Sequence, residues 1–370
     1  MGLADYVTSA LMRGTKKRSF DQIYHELESV GASLGFSSGI NKSGFNGRSL
    51  VDDLPLLLNL LSEALTQPAF PKAEMEKLRA QILTGLSIRA EDTSDMASMT
   101  FDAILYKGHP YSRPEDGHPE TIQRITRDDL VKFHREHYGP RGMVIAIVGA
   151  VKPEEAVRQV GRALGGWQVK GQKEAPALPE LKRLKKTVSK HHRIAGKSQS
   201  DIVIGTNGPT RHDPEFMSAL LGNNVLGQFG MMGRIGEVVR EKSGLAYYAY
   251  SSMNAGIGPG SWEVSAGVNP QNVKKASDLI IAELNRFVQE GVTEEELADS
   301  KANFIGRLPL SLESNGGVAN ALLNIERHNL GLDYYLRYAD LVNSVGCDDV
   351  LGTARKFIDT EKLAIAVAGP

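Results

Sequence analysis

The chain repeats itself, and the repeat limits its architecture more than any other feature. Asp128-Asp129-Leu130 opens a helix-like stretch that leads into an apolar run at 143–149. Asp348-Asp349-Val350 opens another that leads into an apolar run at 363–369, in each case 220 residues later with no gap. An Asp pair suits a helix start, where short acidic side chains accept from the unpaired first-turn N–H groups. A short run of Val, Ile and Ala suits a buried strand. Upstream, 77–86 matches 299–308, the amphipathic stretch 54–63 matches that around 276–283, and Ser9-Ala10-Leu11 matches Ser218-Ala219-Leu220. Each copy reads as helix, hairpin, several helices, then a strand. The fold class expected is therefore α+β: two homologous domains, each a mostly antiparallel sheet with helices packed on one face. A length of 370 residues suits two such domains. We place them at 1–170 and 194–370, with a linker at 171–193. Gly165-Gly166 ends the last helix of the first copy, and 172–179 is polar and proline-punctuated. The basic run 182–193 (KRLKKTVSKHHR) reads as solvated linker and edge strand.

Charge and cysteine content narrow the chemistry. Lys+Arg is 43 against Asp+Glu 44, so the basic surplus that nucleic acid or an anionic membrane surface demands is missing. With Cys347 as the single cysteine, disulfide frameworks and multi-cysteine metal sites are excluded. No apolar run approaches the length of a membrane span. His134 and His137 lie three apart on a helix, where a metal pair wants four, and no third ligand is near; they read as exposed helix surface. His109 and His118, each before a proline, read as loop residues, and His191-His192 fall in the linker. The run Gly227–Gly233 (GQFGMMG) follows a helix rather than a strand and lacks a following Lys-Ser/Thr. It reads as a closely packed flexible loop, not a phosphate cradle. Cys347 has no adjacent histidine and is a poor nucleophile.

One segment is more specific. In GRIGEVVREKSGLAYYAY, residues 233–250, a helix carrying Arg240 ends at Gly244 and a strand begins at Tyr247. Read alone, Arg240 is a helix-end cation and Tyr247 a half-buried strand residue. The segment closely resembles the Arg–Tyr motif of the insulinase/pitrilysin metallopeptidase family, with Arg240 and Tyr247 seven positions apart. The opening helix 2–15, Tyr106–Tyr111 (YKGHPY), Ile125–Leu130 and His137-Tyr-Gly-Pro140 resemble the same family, so nearly the whole chain joins the resemblance. The family's duplicated insulinase-like domains would account for the repeat. The resemblance implies that Arg240 and Tyr247 point at a substrate carbonyl from the half opposite the zinc.

The departure from the family pattern matters as much. The family holds zinc with an inverted H-x-x-E-H on the first helix, the two histidines as ligands and the glutamate as general base. A glutamate further along completes the ligand set. Here the motif positions carry Asp5, Thr8 and Ser9, and the distal position falls at Thr84-Gly85. The resemblance thus implies no cofactor on this chain, with Asp5, Thr8, Ser9 and Gly85 marking a degenerate zinc site. It implies a non-zinc subunit of a heteromeric peptidase, paired with a zinc-bearing subunit of the same family, the two enclosing a peptide or unfolded protein that adds as a strand to a sheet edge. The alternative is a catalytically inactive scaffold, against which the retained Arg–Tyr spacing argues. An autonomous hydrolase using Thr8 or Ser9 would lack a histidine base. Copy two opens with a strand-like segment, 201–205, that copy one lacks. Copy one closes with a helix, 153–164, that copy two lacks. We therefore expect the chain to continue beyond both ends. The compartment, bacterial periplasm or cytoplasm, stays open.

Overall fold

A computed structural model describes residues 1–370. Its first half runs through helices α1 (Leu3–Ala10) and α2 (Phe20–Ser29), strands β1 (Ser33–Gly39) and β2 (Lys42–Arg48), and helices α3 (Leu54–Thr66), α4 (Lys72–Ala90), α5 (Thr93–Leu105), α6 (Pro119–Arg124), α7 (Arg127–His137) and α8 (Pro153–Leu164). The second half runs through β3 (Val188–Arg193), β4 (Ser200–Gly208), α9 (Phe216–Gly227), α10 (Phe229–Gly236), a π-helical turn (Glu237–Lys242), β5 (Ala246–Asn254), β6 (Gly260–Val268), α11 (Val273–Glu290), α12 (Glu294–Ser311), α13 (Asn315–His328), α14 (Tyr338–Asn343), α15 (Cys347–Phe357) and β7 (Ala364–Gly369).

The repeat falls on like elements in like order: α1 and α9, the two hairpins, α3 and α11, α4 and α12, α7 and α15. The repeated Asp has the same task twice. The Asp129 carboxyl accepts from the Thr126 N–H at 2.8 Å, and the Asp349 carboxyl accepts from the Gly346 N–H at 2.7 Å. Each closes the first turn of its helix from within. Glu63 on α3 and Glu283 on α11 are also equivalent, and both are buried against arginine: Arg18 Nη1 lies 2.5 Å from Glu63, and Arg286 Nη2 lies 2.8 Å from Glu283.

The chain folds into two compact units, one of residues 1–88 with 113–177, the other of 89–112 with 178–370. In the first, Tyr6, Val7 and Leu11 of the opening helix segment join Leu57, Leu58, Leu61 and Leu130 in one core. Tyr6 is wholly buried, and its hydroxyl donates to the Met75 carbonyl at 2.5 Å, as a buried phenol requires. The paired strands of this unit are β1 and β2, antiparallel from Ser33↔Arg48 to Gly39↔Lys42.

Residues 143–149, expected to be a buried strand, are not one. Their counterpart β7 is paired on both sides, by β3 and β4. No segment of the first unit occupies the place that β4 holds against β7. Without a ladder partner the run forms no strand. Met143 and Ile145 lean on the core, while Val144 is exposed.

The second unit holds a five-stranded sheet in the order β3-β7-β4-β6-β5, antiparallel except for the β3–β7 pair. The basic run supplies the edge strand β3. Exposed Lys190 and Arg193 there discourage pairing with another chain. One sheet face, through Ile202, Val264, Ala266 and Val268, packs on α9, α11 and α15. The other face takes α5. Ala97, Phe101, Ile104 and Leu105, at helical spacing, lie over the small residues Ala364, Ala366 and Ala368 of β7. Buried Asn223 ties α9 to the hairpin, its side-chain oxygen accepting from Trp262 Nε1 at 2.9 Å and Ser251 Oγ at 2.8 Å. No helix is long and apolar enough to cross a membrane.

Candidate functional site

The degenerate zinc positions lie on α1 and α4. Thr8 is buried, and its hydroxyl is saturated. It donates to the Ala4 carbonyl one turn back at 2.8 Å, leaving its lone pairs for the Tyr138 hydroxyl at 2.7 Å and Ser43 Oγ at 3.1 Å. This hydroxyl cluster joins α1, the β1–β2 hairpin and the residue capping α7. Asp5 is half-buried. Burial, and then the charge of Asp116, pushes its carboxyl above the usual range. Ser9 is exposed, and Gly85 is exposed on α4 with no side chain to offer. Nowhere do three His, Cys, Asp or Glu side chains converge as a metal site would need. We expect Thr8→Val to lower stability by about 1–3 kcal/mol, because it removes the hydrogen bonds of a buried hydroxyl to Ala4, Tyr138 and Ser43, and Ser9→Ala to stay within about 0.5 kcal/mol. Urea denaturation of the two variants checks both.

Arg240 and Tyr247 share one helix–turn–strand connection in the second unit. Val239 is wholly buried in the core, which turns the neighbouring Arg240 toward solvent. The Arg240 side chain is 35% exposed, and its Nε lies 3.5 Å from Glu241, a loose surface pair that binds little. The turn ends with the Gly244 N–H on the Arg240 carbonyl at 2.9 Å and the Leu245 N–H on the Val239 carbonyl at 3.1 Å. Gly244 takes φ +60°, a left-handed geometry that glycine adopts without Cβ strain. Tyr247 then leaves the regular ladder. Ala246 faces Val268 but Tyr248 faces Gly267, so Tyr247 is the extra residue of a β-bulge. It is 84% exposed, not half-buried as the strand pattern alone suggests. π-turns and bulges are both devices that re-aim side chains.

Beside this connection is a cavity of about 290 Å³, whose walls include Phe229, Met231, Arg234, Glu237, Glu241 and Glu296. Arg234, its buried wall, was not singled out in the sequence. Its fork donates to both Glu296 oxygens at 2.6 and 2.5 Å and to the Gly291 carbonyl at 3.0 Å. Burial would raise the Glu296 carboxyl, but these bonds outweigh it and hold it below its ordinary range. The glycine run is closely packed, as expected. A Cβ on Gly227 would meet the Ser251 backbone nitrogen at 2.2 Å, and one on Gly233 would meet the Val225 carbonyl oxygen at 2.5 Å.

The remaining candidates stand apart. His137 is exposed, but His134 is not the surface residue expected. It is half-buried, with Nε2 on the Leu65 carbonyl at 2.8 Å and its ring stacked on Tyr138. Burial holds its imidazole below the usual range. The tertiary neighbours Leu65 of α3 and Phe70 cover it, which helical spacing could not show. His109 sits in a loop, as expected, but is buried there. Cys347 opens α15, and burial and Glu294 push its thiol up, away from the reactive thiolate.

The sequence pattern described as the peptidase M16 inactive domain matches residues 124–304, and that of insulinase, peptidase family M16, matches residues 1–115. The chain belongs to peptidase family M16. A protein of Streptomyces coelicolor named as an uncharacterized zinc protease is 27% identical over all of this chain and 81% of its own length. A probable mitochondrial-processing peptidase subunit beta of Schizosaccharomyces pombe is 23% identical over all of this chain and 82% of its own length. The crystal structure of a peptidase M16 inactive domain from Pseudomonas fluorescens superimposes with a TM-score of 0.91, at 25% identity, covering all of this chain and 88% of that one. The M16 name implies zinc, and the residues present here do not fit it. A hydroxyl cluster fills the helix position, and neither a histidine pair nor the distal glutamate is present. We expect purified protein to hold far less than one zinc per chain. Elemental analysis finding about one tightly held zinc would overturn this.

Proposed function

We propose that this M16 chain is the non-zinc subunit of a heteromeric peptidase. Arg240 and Tyr247 would bind the substrate carbonyl, and a family partner would supply zinc and the general base. The observation that carries this reading is the contrast between the two halves. Of the degenerate zinc positions, Thr8 is taken up by a hydroxyl cluster and Gly85 has no side chain, whereas Tyr247 is almost wholly exposed and Arg240, on the same connection, is a third exposed with only a loose surface partner.

In this reading the Arg240 guanidinium and Tyr247 hydroxyl both donate to the carbonyl oxygen of the scissile peptide. Each bond strengthens as that oxygen gains negative charge, so the pair favours the transition state over the ground state. Strand β5, which carries Tyr247, is the sheet's outer strand beside β6. A peptide laid along it could be held by backbone pairing, with little demand on sequence. The test is to copurify the chain with a zinc-motif family member from the same genome. Peptide cleavage by each alone and by both together is then compared. Cleavage by the pair that the zinc subunit alone does not match supports the proposal; no gain on mixing points to a scaffold.

A further inference from the structure

We propose that Asp201 and Tyr248 are positioning residues for Tyr247: a buried carboxyl–phenol anchor sets the β5 bulge that turns Tyr247 out of the sheet. The inference rests on the reading of Tyr247 given above. Ala249, Val264, Ala266, Val268 and Ile202 line the sheet face that packs on α9, α11 and α15. By alternation Tyr248, Gly267 and Asp201 point to the opposite face. They form one row across β5, β6 and β4, since Tyr248 pairs with Gly267 and Gly267 with Asp201.

Gly267 leaves the gap that joins the row. A Cβ there would meet Tyr248 Cε1 at 2.6 Å and Asp201 Oδ1 at 3.1 Å. The Tyr248 ring therefore crosses over Gly267, and its hydroxyl donates to Asp201 Oδ1. Asp201 is 1% exposed. It also accepts from the Thr93 hydroxyl, on the first residue of α5, and from the Gln199 amide at 3.1 and 3.0 Å. A buried carboxyl with its acceptor sites filled this way is costly to disturb. Burial, with Asp201 beside it, pushes the Tyr248 phenol up, so it remains a donor.

The anchor decides which residue bulges. Ala246 packs on the helix-side core, and Ala249 is wholly buried there. Tyr248 is tied to the opposite face, so the one residue left over between Ala246 and Tyr248 is Tyr247. Tyr247 makes no anchoring contact of its own at 84% exposure. A one-residue slip would return it to the ladder and turn its side chain.

Tyr248→Phe keeps the ring over Gly267 and removes only the donor. In the assembled peptidase we expect kcat to fall about ten- to a hundredfold, as misplacing a positioned group does, with KM little changed. In a Tyr247→Phe background the same change should add nothing, because the residue it positions is already disabled. Asp201→Asn, which keeps an acceptor, should lose less than Asp201→Ala. In the chain alone, amide exchange over 245–249 should accelerate in Tyr248→Phe. Fully additive kinetic losses, or unchanged exchange over 245–249, would overturn the inference. Should Tyr247→Phe prove as active as wild type, the catalytic reading fails, and the exchange experiment still decides whether the anchor holds the bulge.

Discussion

Arg240→Ala or Tyr247→Phe should each lower turnover by the assembled peptidase about 10²–10³-fold, the usual cost of removing one donor to a developing oxyanion. Neither should unfold the chain. Arg240 is a third exposed with only a loose surface partner, and Tyr247 is almost wholly exposed, so both fall among surface changes that move stability by about 0.5 kcal/mol or less. The loss should appear in kcat and in kcat/KM alike, because the contacts strengthen in the transition state. The double variant should lose less than the product of the single losses, since both donors serve one oxygen. Steady-state kinetics on a fluorogenic peptide, with circular dichroism melts of each variant, makes the measurement. Normal turnover by the double variant would leave these side chains without a catalytic part and move the chain to the scaffold reading.

Arg234→Ala should cost up to about 3–5 kcal/mol, the range for breaking a buried ion pair from one side, because the arginine and Glu283 are buried although Glu296 is a third exposed. The guanidinium is 9% exposed and meets Glu296 through two bonds, with Glu283 3.9 Å away and the Gly291 carbonyl on its third nitrogen. Its removal leaves Glu283 with Arg286 alone and Glu296 without its main cation. The pH dependence follows from Glu296. Its folded-state carboxyl lies below the ordinary range, so its contribution is complete at neutral pH and is lost as pH falls through the depressed folded value. Urea midpoints measured from neutral to acid pH should show that loss in the parent chain and much less of it in Arg234→Ala. A loss under about 1 kcal/mol at neutral pH would show that the pair's desolvation cost cancels its attraction.

Much of this architecture was legible along the chain because the signals are local. The Asp at the third residue of α7 and of α15 closes its own first turn, so the repeat in sequence is a repeat of caps. Glu63 and Glu283 fall at equivalent points of α3 and α11 and are buried in both. The missing histidines and glutamates at Asp5, Thr8, Ser9 and Gly85 needed no structure, because a side chain that is absent cannot ligate. The Arg240–Tyr247 spacing was likewise plain.

Other features depended on neighbours far away in sequence. The run at 143–149 has a strand's composition, yet a strand exists only with a partner to accept its N–H groups, and its own unit provides none. Helix α5 belongs to the unit of the second half because Ala364, Ala366 and Ala368 leave room for Phe101; periodicity gives a helix its apolar face but not the surface that face meets. His134 has the spacing of an exposed residue and is covered by α3. Arg234 and Glu296 are 62 residues apart, and the bulge that turns out Tyr247 is held by Asp201, 47 residues before Tyr248. Sequence by itself determined which residues could cap a helix, ligate a metal or carry a charge, since those are properties of single side chains and adjacent turns. The tertiary structure decided which of them are desolvated and paired, because burial and hydrogen-bond reach depend on distances of a few ångströms that chain order does not contain.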